Sequence, residues 1–109
     1  MKILFDNGTP KPIERALRGH QVFHARQLGW HEFKNGELLD KAEKAGFDLL
    51  PTTDQNIRYQ HNLAQRMIAI VVLGNAQWPN VKLRIEHIAA AVNAAQPGSY
   101  SEVEIPFRD

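Results

Sequence analysis

Three acidic residues occupy positions from which their carboxylates can come together. Asp6 directly follows a short apolar run, residues 2–5, and Asp54 follows a second run, residues 47–51. Both runs have the length and composition of buried strands, so each predicted strand carries an aspartate at its carboxyl end. Glu37 lies in the first turn of a predicted helix.

The expected topology places these three carboxylates on one edge of a sheet. In a parallel α/β sheet, the carboxyl ends of the strands and the amino ends of the helices that follow them lie on the same edge, where ligands bind. Asp6, Glu37 and Asp54 would repel one another there unless a cation lay between them, and hard oxygen ligands suit Mg²⁺ or Mn²⁺. We therefore expect a divalent metal site, which can activate a water molecule and stabilise an in-line displacement at phosphorus.

Each acid also has a simpler explanation. Asp6 and Asp54 are followed by turn or helix residues, so either could cap a turn or the amino end of a helix. Glu37 suits the dipole at the amino end of a helix and lies four residues before Lys41, with which it could pair.

Strand and helix patterns alternate along the whole chain. Apolar runs rich in β-branched residues predict strands, whereas apolar residues at helical spacing that end at a glycine predict helices. The predicted strands are residues 2–5, 21–25, 47–51, 67–73 and 102–105, and the predicted helices are residues 11–18, 36–45, 55–65 and 80–95. This order predicts an α/β fold with a mostly parallel sheet of about five strands and helices on both faces.

Length and composition limit the function classes. The 109 residues form one domain, and 43% hydrophobic with 23% charged residues is the balance of a globular protein. A net charge of +1 argues against nucleic-acid affinity from bulk charge, and the absence of cysteine excludes disulfides and thiolate metal sites. The longest apolar run, residues 67–73, is too short to cross a bilayer, so we expect a cytoplasmic protein without membrane contact.

Three segments together match a known pattern. They are Leu4-Phe5-Asp6, then Asn35-Gly36-Glu37-Leu38-Leu39 with Ala42-Glu43 on a helix, and Gly46-Phe47-Asp48 running to Thr52-Thr53-Asp54. In order and spacing they resemble the small PIN-like proteins, a branch of the PIN nuclease superfamily in which some members look like toxins of type II toxin–antitoxin modules. The resemblance covers nearly the whole chain.

This resemblance implies a fold and an activity. The fold is a PIN-like three-layer α/β/α sandwich, and the activity is that of an endoribonuclease dependent on Mg²⁺ or Mn²⁺. Asp6, Glu37 and Asp54 match the metal-binding and catalytic acids of the family. RNA as the substrate, an antitoxin protein as a partner and a homodimer are further implications.

The chain also differs from the family pattern near the acids. Asn7 and Asn56 stand where many members carry a second acid, and Gly74-Asn75 offers no fourth acid. A second interpretation is therefore a catalytically weak or inactive PIN-like protein that acts as a binding or regulatory protein. A phosphatase-like or nucleotide-binding domain is a third alternative, against which the lack of a glycine-rich phosphate loop counts.

Two groups of basic residues could contact an RNA backbone. One is a face of the first predicted helix, and the other is the helix after Asp54, flanked by Arg58 and Arg66. The first face carries Lys11, Arg15 and Arg18. Either group could contact phosphates, although charges on an outer helix face are usually only solvated.

Overall fold

Five strands alternate with helical segments in the computed structural model, which describes residues 1–60 and 63–107. The strands are β1 (Lys2–Phe5), β2 (Gln21–His24), β3 (Leu49–Thr52), β4 (Ala69–Leu73) and β5 (Tyr100–Val103). The helices are α1 (Asn35–Lys44), α2 (Ile57–Gln60), α3 (Trp78–Val81) and α4 (Ile85–Ala94), with 3-10 segments at Lys11–Ala16, Leu63–Gln65 and Lys82–Arg84.

The strands form one sheet in the order β2-β1-β3-β4-β5. Every pairing is parallel, and Ile3 of β1 lies beside Val22 of β2 and Leu49 of β3. The predicted α/β fold with a sheet of five strands is therefore confirmed, and the pairing is parallel throughout the described sheet.

Consecutive strand residues contribute to two different hydrophobic clusters. Phe5 belongs to the first cluster and Leu4 to the second, and because side chains alternate along a strand, the clusters lie on opposite faces of the sheet. Ile88 of α4 packs in the first cluster, while Leu39 of α1 packs in the second. All five residues of β4 are buried, which explains why its sequence is apolar without interruption.

Two predicted elements in the first half of the chain differ from the structure. The helix predicted at residues 11–18 is instead a 3-10 segment at Lys11–Ala16. The strand predicted at residues 47–51 begins at Leu49 and includes Thr52.

In the second half, the described residues of the two long predicted helices include both α-helical and 3-10 segments. The helix predicted at residues 55–65 appears as α2 and the segment Leu63–Gln65, with residues 61 and 62 outside the described part of the chain. The helix predicted at residues 80–95 begins at Trp78 and runs through three consecutive helical segments. β4 begins at Ala69, two residues after the start of its predicted range. β5 begins at Tyr100 and ends at Val103, so it is shifted by two residues from the predicted range of 102–105.

The packing of α1 on the sheet can be tested with a pair of leucines. Leu39 is fully buried, whereas Leu83 is 57% exposed. We expect Leu39→Ala to lower the free energy of unfolding by about 2–5 kcal/mol, because it removes buried methyl groups and leaves a cavity. Leu83→Ala should change it by no more than about 0.5 kcal/mol. Urea denaturation measures both, and equal effects would contradict the described core.

Candidate functional site

The strand order reverses between β1 and β3. From β1 the chain crosses to β2 on one side of the sheet, and from β3 it continues through β4 and β5 on the other. Ligands of open parallel sheets bind in the crevice that such a reversal leaves at the carboxyl ends of the strands. Asp6 directly follows β1 and Thr52 ends β3, so both residues flank this crevice.

The carboxylate of Asp6 accepts three hydrogen bonds. Its Oδ1 accepts from the backbone N–H (3.0 Å) and the hydroxyl (2.6 Å) of Thr9, and its Oδ2 accepts from the hydroxyl of Thr52 (2.8 Å). A carboxylate has about four lone-pair positions. These bonds hold the carboxylate in one orientation and leave about one position, on Oδ2, for a further ligand.

The hydroxyl of Thr52 connects the ends of β1 and β3. Thr52 is fully buried, and its Oγ1 donates to Asp6 while accepting a hydrogen bond from the backbone N–H of Asp54 (3.1 Å). A threonine hydroxyl has one proton, which the bond to Asp6 uses. A single buried atom therefore positions the side chain of Asp6 and the backbone of Asp54.

The loop after β1 packs closely against the end of β3. Thr9 is 4% exposed, and its Oγ1 also lies 3.0 Å from the carbonyl oxygen of Pro51. A Cβ added to Gly8 would lie 2.9 Å from Oγ1 of Thr53, a separation that real Cβ atoms essentially never show. Any side chain at position 8 would have to displace Thr53.

Asp54 lies in the turn that precedes α2. Its Oδ1 accepts a hydrogen bond from the backbone N–H of Asn56 (2.9 Å), two residues further on, which is the geometry of an Asx turn. Asp6 accepts the backbone N–H of Thr9 in a similar way. The turn-capping role expected from the simpler explanation is therefore present at both aspartates.

Glu37 is exposed in the first turn of α1. Across residues 1–60 and 63–107, no group of three or more histidine, aspartate and glutamate side chains is arranged to hold a metal ion. A Mg²⁺ or Mn²⁺ site built from Asp6, Glu37 and Asp54 stays a prediction. The donors at the crevice, aspartate oxygens oriented by threonine hydroxyls, are of the hard type that fits these ions.

His24 ends β2 on the same edge of the sheet. Its Nε2 lies 2.7 Å from Oε1 of Glu14, and its ring packs edge-on against Phe5 with the centroids 5.3 Å apart. The side chain is 13% exposed. His24 is therefore a packed residue held by an acid.

Two of the basic residues considered for RNA binding are paired with acids. Nη1 of Arg66 donates to Asp40 and to Glu43 of α1, each at 2.9 Å. Burial on its own lowers the pKa of Arg66, but the hydrogen bonds and charges of Glu43 and Asp40 outweigh it and raise the pKa, so the guanidinium stays charged. Arg58 lies 3.6 Å from Glu102. Arg66 thus links α1 to the segment that precedes β4.

Sequence reasoning missed three polar residues at this edge. The sequence indicated no site role for Thr9 and Thr52, although a buried hydroxyl needs a hydrogen-bond partner. Asn75, 5% exposed after β4, accepts the backbone N–H of Gln77 (2.8 Å). Its Nδ2 is buried without a hydrogen-bond partner among the described residues.

Comparisons of the chain with protein-family models, curated proteins and solved structures gave no match. The resemblance to PIN-like proteins therefore stays a prediction from the quoted segments. In the described part of the chain, no helix has the length and apolar character needed to span a membrane.

The connection between the two strand ends can be tested with adjacent threonines. Thr52→Val keeps the side-chain shape but removes the donor to Asp6, so we expect the free energy of unfolding to fall by about 1–3 kcal/mol. Thr53→Val is the matched control, because Thr53 is only partly buried, and it should change stability by about 0.5 kcal/mol or less. Urea denaturation measures the free energy of unfolding of both variants. An unchanged value for Thr52→Val would show that this hydrogen bond does not hold the strand ends together.

Proposed function

We propose that this protein is a divalent-metal-dependent endoribonuclease whose site is the crevice between β1 and β3. The observation that carries the proposal is that the Asp6 carboxylate and the Asp54 backbone, at the reversal of strand order, bind the same buried hydroxyl of Thr52. Oriented oxygen donors at such a crevice suit Mg²⁺ or Mn²⁺. The segments that resemble PIN-like proteins support RNA as the substrate.

Each residue has a role in this proposal. Asp6 and Asp54 bind the ion, and Glu37 contributes a third carboxylate from the amino end of α1. Thr9 and Thr52 keep the Asp6 carboxylate oriented, as outer-shell partners of metal ligands do. Mg²⁺ or Mn²⁺, when bound by these residues, would lower the pKa of a water molecule and stabilise negative charge on the phosphate. No protein side chain serves as the nucleophile.

The same resemblance supports a role as the toxin of a toxin–antitoxin module. An antitoxin protein would be the partner that restrains the nuclease, and a homodimer would be the functional unit. Both partners belong to the proposal and rest on the quoted segments alone.

A non-catalytic PIN-like binding or regulatory protein is the second candidate. The observation that favours it is the use of three of the lone-pair positions of Asp6 by Thr9 and Thr52, together with the Asx turn at Asp54. In that case the acids serve only to shape the loops, and neither ion binding nor RNA cleavage follows.

Isothermal titration calorimetry with Mn²⁺ separates these candidates. We expect the wild type to bind Mn²⁺, and Asp6→Asn and Asp54→Asn each to lower the affinity by at least about tenfold, since loss of even a supporting residue costs 10–100-fold. Asp48→Asn is the matched control, because Asp48 accepts the backbone N–H of Lys2 at the other end of β3. Its affinity should equal that of the wild type.

Other calorimetric results have clear meanings. Absence of binding at millimolar Mn²⁺ would remove the chemistry of the nuclease and favour the binding protein. Retained binding in Asp6→Asn would place the ion elsewhere. Glu37→Gln reports separately whether the third carboxylate contributes.

Cleavage and growth test the activity itself. We expect the wild type to cleave single-stranded RNA only when Mn²⁺ or Mg²⁺ is present, and induced expression to slow the growth of a bacterial host. Asp6→Asn should abolish both effects, whereas Asp48→Asn should preserve both. Growth inhibition that persists in Asp6→Asn would show that any toxicity does not come from this site.

A further inference from the structure

A small cavity lies beside Asp6 at the carboxyl ends of β1 and β2. Its volume is about 50 Å³, and its lining includes Lys11, His24 and Arg26 as well as Asp6. One water needs roughly 10–15 Å³ of such space. The cavity therefore accommodates a few waters or a small anion, and it is too small for a nucleobase.

Lys11 and Arg26 bring two positive charges to this cavity. Both side chains are exposed, and neither forms an ion pair with a residue in the described ranges 1–60 and 63–107. This distinguishes them from Arg66 and Arg58, whose guanidinium groups lie near acids. The sequence grouped Lys11 with Arg15 and Arg18, but only Lys11 of these three lines the cavity.

The acids near the cavity are already engaged. Glu14 is directed at Nε2 of His24, and Asp6 accepts hydrogen bonds from Thr9 and Thr52. Two unpaired cations beside one carboxylate leave the cavity with an excess of positive charge. An anion with several acceptor oxygens is the ligand that this combination favours.

We propose that this cavity binds a phosphate of a single-stranded RNA backbone, next to the phosphate that is cleaved in the crevice. The inference rests on the proposed function, because Asp6 borders both the cavity and the crevice. Lys11 and Arg26 donate charge-assisted hydrogen bonds to the phosphate oxygens. Phosphate contacts carry no sequence information, so the cavity positions the strand without selecting its sequence.

RNA binding in the absence of metal tests this site separately from catalysis. Fluorescence anisotropy with labelled oligouridine, in EDTA and over a range of KCl concentrations, gives the affinity and its dependence on salt. We compare Lys11→Gln/Arg26→Gln with Lys44→Gln/Lys82→Gln, a pair of exposed cations that do not line the cavity. Circular dichroism melting shows whether both double variants are folded.

We expect the cavity variant to bind oligouridine more weakly than the wild type does. The slope of log affinity against log salt should be smaller by about 0.7, since each phosphate neutralised on a single strand contributes about 0.7. Oligoadenylate should show the same change, and the Lys44→Gln/Lys82→Gln variant should keep wild-type values.

Three results would overturn the inference: equal losses in the two double variants, an effect confined to one base sequence, or no RNA binding by the wild type in EDTA. None of them affects the metal site, which Mn²⁺ calorimetry tests independently. Conversely, RNA binding through Lys11 and Arg26 without any Mn²⁺ binding would keep the phosphate site and overturn the proposed nuclease.

Discussion

The hydrogen bond from the Thr52 hydroxyl to the Asp6 carboxylate holds together the part of the fold on which the candidate site depends. It joins residues 46 positions apart, at the place where the strand order reverses between β1 and β3. Because Thr52 is fully buried, its hydroxyl has no water to replace this partner. Thr9 closes the same arrangement from the loop after β1, so the strand ends and both aspartates form one connected polar unit.

The two edges of the sheet use their charges differently. Near the start of β4, Arg66 donates hydrogen bonds to two acids of α1, and Asp48 accepts the backbone N–H of Lys2. These charged side chains therefore form contacts within the protein. At the carboxyl edge, Lys11 and Arg26 have no acidic partner among the described residues, and the carboxylate of Asp6 keeps a lone pair. Lys11 and Arg26 therefore lie free of acidic partners, within the described ranges, at the edge where ligands of open parallel sheets bind.

The amino-acid pattern was sufficient for the α/β class and the five-stranded sheet and insufficient for the site. Uninterrupted apolar runs such as Ala69–Leu73 and the glycine after α1 mark elements directly, because burial and turn geometry are local constraints. Placing Asp6 and Asp54 at one edge also followed from strand direction. The role of Thr52 did not, because its hydroxyl has several local uses and only the parallel register of β1 with β3 selects the partner. The ion pairs of Arg66 could not be predicted for the same reason, since both acids lie on α1, 26 and 23 positions away in the chain.

The position of β1 inside the sheet has a consequence for the protein while it is being made. β1 is synthesised before β2 and β3, yet it lies between them in the sheet, and Ile3 meets Leu49 only after the residues up to β3 have been synthesised. Until then the crevice has one wall, and Asp6 lacks the Thr52 bond. An amino-terminal fragment that ends before β3 contains Asp6 but no site. For a protein proposed to cut RNA in its own cell, translation itself delays the activity until the chain that forms the second wall has emerged.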